Sequence, residues 1–229
     1  MSYEVKNDYL KDGHSKRPGG RYKKKSLTIH STANLKSTAE NERAWLDNPS
    51  NTRQAAWHYI VGEGVVIQAI PESEEAWHCN STEGNRYSIG IEMIESGNRA
   101  KVLETAAEFV ADKLKEYGWS VADIKKHYDW SGKDCPRVLI DKAYVKDGMD
   151  WEWFIKKVEE QMNEEVRYNK ISELPAWAQP VIQDLVDEKA IADGNKLDLS
   201  MDMVRVLIIV HRWVTAVLNK AVSEIKNKK

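Results

Sequence analysis

His127-Tyr-Asp-Trp-Ser-Gly-Lys-Asp-Cys135-Pro136 sets a histidine and a cysteine eight residues apart in a short polar, turn-rich stretch, with Lys133 two residues before the thiol. Far upstream, Leu27-Thr-Ile-His30-Ser-Thr reads as a strand that delivers a second imidazole at its end. Two imidazoles and a thiolate form a mixed nitrogen–sulfur donor set, which favours zinc over hard cations such as magnesium. Three protein ligands leave one coordination position open, as a catalytic site requires and a structural four-ligand site does not. The fold must then let a rigid sheet fix His30 while the 127–135 loop folds back onto that strand.

The rest of the chain supplies such a sheet. Residues 1–25 are polar, carry Pro18 and Gly19-Gly20, and read as a loop-rich lead-in. Ser26–His30 is a strand, and Thr38–Trp45 a helix closed by Asp47-Asn48-Pro49. Ala55–Val61 and Val65–Ile70 flank Gly62-Glu63-Gly64, the pattern of a β-hairpin. Tyr87–Ile94 alternates in part and suits a central strand. Leu103, Ala106, Val110, Leu114 and Tyr117 then form one helical stripe, stopped by Gly118. Ser120 and Asp123 resemble a capping box before a short helix. Asp150 caps a final helix with Trp151, Phe154, Ile155, Val158 and Met162 on one face. Strands interspersed with helices describe an α/β domain with a central mixed sheet over residues 1–162. A charged linker follows at 163–170, then a small helical domain at 171–229 built from Pro175–Ala190 and Ser200–Lys220. The second of these helices is apolar around much of its circumference. It needs a cover, either the first domain or another copy of the chain, so a homo-oligomer is one expectation.

Composition narrows the function. The chain has 229 residues, 41% of them hydrophobic, enough for one good core. A net charge of -2 gives no electrostatic case for nucleic acid. The basic run Arg21, Lys23, Lys24 and Lys25 reads as a solvated loop. No apolar run approaches the ~20 residues that span a bilayer. Met-Ser-Tyr-Glu-Val-Lys lacks an apolar signal core, so the expectation is cytoplasmic synthesis and action on the cell wall after release. Cys-x-x-Cys and His-x-Glu do not occur, which argues against a zinc ribbon and a nucleobase deaminase.

Ile29-His30-Ser-Thr-Ala33, Trp57-His58-Tyr59, Ala76-Trp77-His78, Ser88-Ile-Gly-Ile-Glu92 and His127…Lys133-Asp-Cys135-Pro136 occur in that order. Together they resemble the zinc-dependent N-acetylmuramoyl-L-alanine amidases, a group that includes phage endolysins, bacterial autolysins and the animal peptidoglycan recognition proteins. The resemblance covers roughly residues 20–160. It implies a groove over a Zn2+ ion and hydrolysis of the amide joining N-acetylmuramic acid to L-alanine in peptidoglycan. It further implies His30, His127 and Cys135 as metal ligands, Glu92 as general base, and Lys133 as the cation that stabilises the oxyanion. Trp57 stands where some members have a tyrosine, so a phenolic role there falls to Glu92. Trp57, Tyr59 and His78 are candidate substrate contacts, although His78 reads equally well as a satisfied structural histidine. His58 reads as structural and Cys79 as a buried thiol. Non-catalytic recognition modules of this kind typically lack the cysteine, so the enzyme reading leads and the binding module is its alternative. Glu173–Arg205 is similar to a degenerate S-layer-homology unit, which implies a secondary cell-wall polymer as a further ligand.

Overall fold

The structure is a computed structural model that describes residues 2–163 and 167–226. The chain divides into two compact units, Met1–Asn163 and Glu164–Lys229.

The first unit is built on a mixed sheet flanked by helices, as expected. Its strands are β1 (Glu4–Asn7), β2 (Ser26–Ser31), β3 (Tyr59–Val61), β4 (Val65–Gln68), β5 (Ser88–Met93) and β6 (Ile124–Lys126), in the spatial order β1-β4-β3-β5-β2-β6. Only β3 and β4 pair antiparallel, as the two arms of the hairpin at Gly62-Glu63-Gly64; the other pairs are parallel. The helices are α1 (Ala39–Asp47), α2 (Thr82–Tyr87), α3 (Arg99–Tyr117), α4 (His127–Ser131), α5 (Arg137–Ile140) and α6 (Trp151–Asn163).

Strand β2 is buried along its whole length, and so is β5. Alternation therefore does not sort exposed from buried residues here. It sorts one buried face from the other. Ile29, Ile89, Ile91 and Met93 join the hydrophobic core that also holds Leu103, Phe109 and Leu114 of α3. Each such fully buried side chain contributes about 1.5–3 kcal/mol. α3 starts where the Asn98 side chain accepts the amide of Lys101, and it ends at Gly118, whose φ of 66° only a glycine adopts without strain.

Three expectations are corrected. The lead-in carries the edge strand β1, paired in register with β4; its residues are exposed, so no hydrophobic alternation marks it. The basic run is not wholly solvated. Lys24 is buried, and its ammonium donates to the carbonyls of Glu74, Arg86 and Ser88. The 127–135 stretch is not all loop: its first five residues form α4.

The second unit carries β7 (Arg167–Tyr168), α7 (Gln179–Asp187), β8 (Leu199–Ser200) and α8 (Met201–Lys226). β7 and β8 pair antiparallel, so Arg167 and Tyr168 are strand residues inside the expected linker, whose residues 164–166 lie outside the described ones. A small core gathers Leu174, Ala178, Ile182, Leu199, Val204 and Ile208. The rest of α8 leaves large apolar side chains exposed, Ile209 and Trp213 at 67% each. No helix among the described residues is long and apolar enough to cross a membrane.

Candidate metal centre

His30 sits on β2 directly opposite Glu92 of β5. Partners in a parallel pair share a face, so both side chains leave the sheet on the side away from α3. On the other flank of β2, β6 runs in register as far as Ile29 opposite Lys126. The chain then turns into α4, and His127 arrives beside His30. Gly132 ends α4 in the left-handed region, and the amide of Tyr128 donates to the carbonyl of Cys135 at 3.0 Å. That bond closes the loop and returns Cys135 to β2, where its sulfur lies 3.5 Å from the amide nitrogen of Ser31.

The three groups converge. One donor atom from each of His30, His127 and Cys135 lies within 4.8 Å of the other two. His30 Nδ1 is 3.0 Å from His127 Nδ1 and 3.8 Å from Cys135 Sγ. Two nitrogens bound at ~2.0 Å to one tetrahedral ion stand about 3.3 Å apart, so these spacings fit a shared metal. The chemistry fits as well. Burial holds His30 well below its ordinary pKa and His127 at about 4, so both rings offer neutral lone pairs. Burial, followed by the charge of Glu92, pushes the Cys135 thiol up to about 12, so a thiolate there calls for a cation beside it. The ring nitrogen Nε2 of His127 is buried without a partner among the described residues.

A cavity of about 990 Å³ opens over this cluster. Glu92 lines it and is 7% exposed. Burial, then the charge of Glu42, pushes its carboxyl up to about 8, while Lys133 pulls the other way. The exposed Lys133 also lines the cavity, and its charge acts on His30, His127 and Cys135 as well. Trp57 lines it too, stacked on Trp45 with ring centroids 5.6 Å apart.

Tyr59 does not belong to this face. It pairs with Ile91, one residue out of phase with Glu92, so it points toward α3. There its ring packs on Phe109 at 4.7 Å and its hydroxyl donates to Glu72. His78 does reach the centre, but through His30: its Nδ1 is 2.9 Å from His30 Nε2. His58 accepts the amide of Gly90 and lies opposite the Glu74 carbonyl, a buried structural histidine. Cys79 is likewise buried.

Two contributors have no sequence signal. Glu95 accepts a bidentate pair of bonds from Arg137 and another from the amide of Ala33. It therefore ties the segment just after Cys135 to the loop just after β2. Burial pushes the Glu95 pKa up, but the hydrogen bonds it accepts, from Arg137 and the Ala33 amide among them, together with the Arg137 charge outweigh it and hold the carboxyl below its ordinary range. Glu42, buried on α1, also lines the groove, and burial raises its pKa.

A mixed α/β domain that gathers a buried His-His-Cys donor set from β2, α4 and the loop after it, under a polar groove, defines a class of proteins with a ready-made set of metal donors, and sequence comparison narrows it. Residues 20–138 match the family described as N-acetylmuramoyl-L-alanine amidase, and the chain belongs to that family. It is 38% identical over 151 residues to the N-acetylmuramoyl-L-alanine amidase CwlA of Bacillus subtilis (strain 168), covering 62% of this chain and 54% of that protein. It is 35% identical over 140 residues to XlyA of the same organism, covering 58% of this chain and 46% of that protein. The chain thus spans about half the length of these relatives. The solved catalytic domain of XlyA superposes with a TM-score of 0.61 at 31% identity, over 68% of this chain and 99% of that one.

Proposed function

We propose that the first unit is a zinc-dependent amidase that hydrolyses the bond between N-acetylmuramic acid and L-alanine in bacterial peptidoglycan. One observation carries this reading: the His30, His127 and Cys135 donors meet at the floor of a groove that also presents Glu92 and Lys133. Bound there, zinc would supply Lewis acidity toward the scissile carbonyl and lower the pKa of water to ~7. Glu92 takes the proton from the attacking water and passes it to the leaving amine, a task suited to a carboxyl whose pKa lies near neutrality. Lys133 faces the carbonyl oxygen as negative charge builds on it. Trp57 and Trp45 offer a flat apolar wall to the substrate.

Digestion of purified walls followed by mass spectrometry tests the assignment. New L-alanine amino termini on intact glycan are expected, together with one zinc per chain. Wall binding without cleavage by the zinc-loaded protein would leave a recognition module instead.

The second unit is proposed to bind a secondary cell-wall polymer as an assembly of copies joined through α8. Met203, Leu207, Val210, Val214, Val217 and Ala221 follow the alternating four-and-three spacing of a helix seam, and Arg205, Arg212, Asn219 and Lys226 recur every seven residues on the opposite side. Light scattering of the full chain should give a mass above one copy. Val210→Asp with Val217→Asp should return it to one copy and weaken wall binding.

A further inference from the structure

We propose that His78 is a positioning residue for the metal centre: it fixes the tautomer of His30 and so sets the affinity for zinc. The inference rests on the zinc reading above and takes His78 out of the role of substrate contact.

A neutral imidazole has one N–H and one lone pair, and the hydrogen bond made by one nitrogen decides which the other presents. His30 has both nitrogens engaged. Nδ1 faces the cluster, 3.0 Å from His127 Nδ1 and 3.8 Å from Cys135 Sγ. Nε2 faces His78 Nδ1 at 2.9 Å. For Nδ1 to offer a lone pair to a metal, Nε2 must carry the proton and donate it toward His78. His78 Nδ1 must then accept, which places the His78 proton on its own Nε2. The two rings would then form an ordered chain leading to His30 Nδ1, the atom that would hold the metal.

The surroundings hold the His78 ring in place, although its Nε2 is buried without a hydrogen-bond partner among the described residues. It is 7% exposed and meets His30 edge to face, with centroids 5.1 Å apart and planes at 88°. Its backbone is pinned, because the amides of both His78 and Cys79 donate to Asn85 Oδ1 at 3.1 Å. Residue 90 is glycine for a steric reason: a Cβ there would stand 2.6 Å from His78 Cγ. His58, held by its own contacts to Gly90 and Glu74, closes the far side with its ring centroid 5.9 Å away. A partner that orients a metal-bound histidine is worth about 10–100-fold in metal affinity.

The test uses the full chain and a chromophoric zinc competitor. His78→Leu removes the acceptor at similar bulk, while His78→Asn keeps an oxygen near the place of Nδ1. Leu is expected to weaken zinc binding about 10–100-fold and Asn to recover most of it, with circular dichroism and thermal melting confirming a folded chain. A folded Leu variant with parental zinc affinity would overturn the proposal, and so would an Asn variant no better than Leu. Should Leu fail to fold, ring 15N NMR of the metal-free parent decides: the protons of His30 and His78 are each expected on their own Nε2, and a His78 proton on Nδ1 refutes the relay. A parental chain that binds no zinc at all would instead sink the zinc reading on which the relay rests.

Discussion

The two faces of β2 and β5 are equally buried and do opposite work. On one, Ile29, Ile89, Ile91 and Met93 pack into the core shared with α3. On the other, Thr28, His30, Ser88 and Glu92 are just as inaccessible, yet every one is polar. Burial stabilises the first face through the hydrophobic effect. On the second it costs free energy, which hydrogen bonds partly offset: Thr28 and Ser88 bond to each other at 2.6 Å, and Trp130 donates to Thr28. The same strands thus build a framework on one side and a chemically stressed surface on the other. The pKa of Glu92, raised to about 8, is the clearest sign of that stress.

Substitutions on the polar face should strike the chemistry and spare the framework. Glu92→Gln should lower kcat by ~10²–10⁴ while leaving zinc content and fold intact; parental turnover would mean another base operates. Lys133→Ala should lower kcat by ~10²–10³ with KM nearly unchanged, and a pure KM effect would refute its oxyanion role.

The stress should also show as pH-dependent stability in chelator-treated protein. Buried His30, His58, His78 and His127 titrate below their ordinary 6.5, so the folded chain binds fewer protons than the unfolded one beneath that pH. Stability therefore falls as pH drops from 6.5. Glu92 keeps its proton up to about 8 against an ordinary 4.5, so in that range it makes stability fall as pH rises. Melting temperature should peak near neutrality, with a descending limb of roughly 2 kcal/mol up to about pH 8. Glu92→Gln should flatten that limb; an unchanged limb would place its origin elsewhere. The smallest effect belongs to the core face. Tyr59→Phe should cost about 1 kcal/mol in denaturant unfolding and leave kcat untouched, and a drop in kcat would show that Tyr59 reaches the substrate after all.

Most of the fold and of the His-His-Cys donor set was legible because both depend on local patterns. Strand β5, helix α3 and its Gly118 stop follow from spacing, and the His30 and His127…Cys135 stretches carry their donors within a few residues of an element end. What escaped was long-range or short. β6 is three residues of Ile-Lys-Lys, too brief for periodicity, yet its register delivers His127. The Glu95–Arg137 clamp joins positions 42 apart, invisible without the fold. Tyr59 stands next to His58 in a recognisable motif, but strand parity turns its side chain away from the groove. His78 was legible as a member of the site and not as a partner of His30, since only coordinates show which nitrogen it meets.

The bond from the Tyr128 amide to the Cys135 carbonyl has a mechanical consequence. It makes one ring of backbone out of residues 128–135, which bears Cys135 and adjoins His127, while His30 stays fixed in the sheet. Assembly of the centre is therefore a docking of one small closed body onto one strand edge. A single protease nick inside that ring would free the thiol, while the imidazole of His127 would stay tethered to the end of β6.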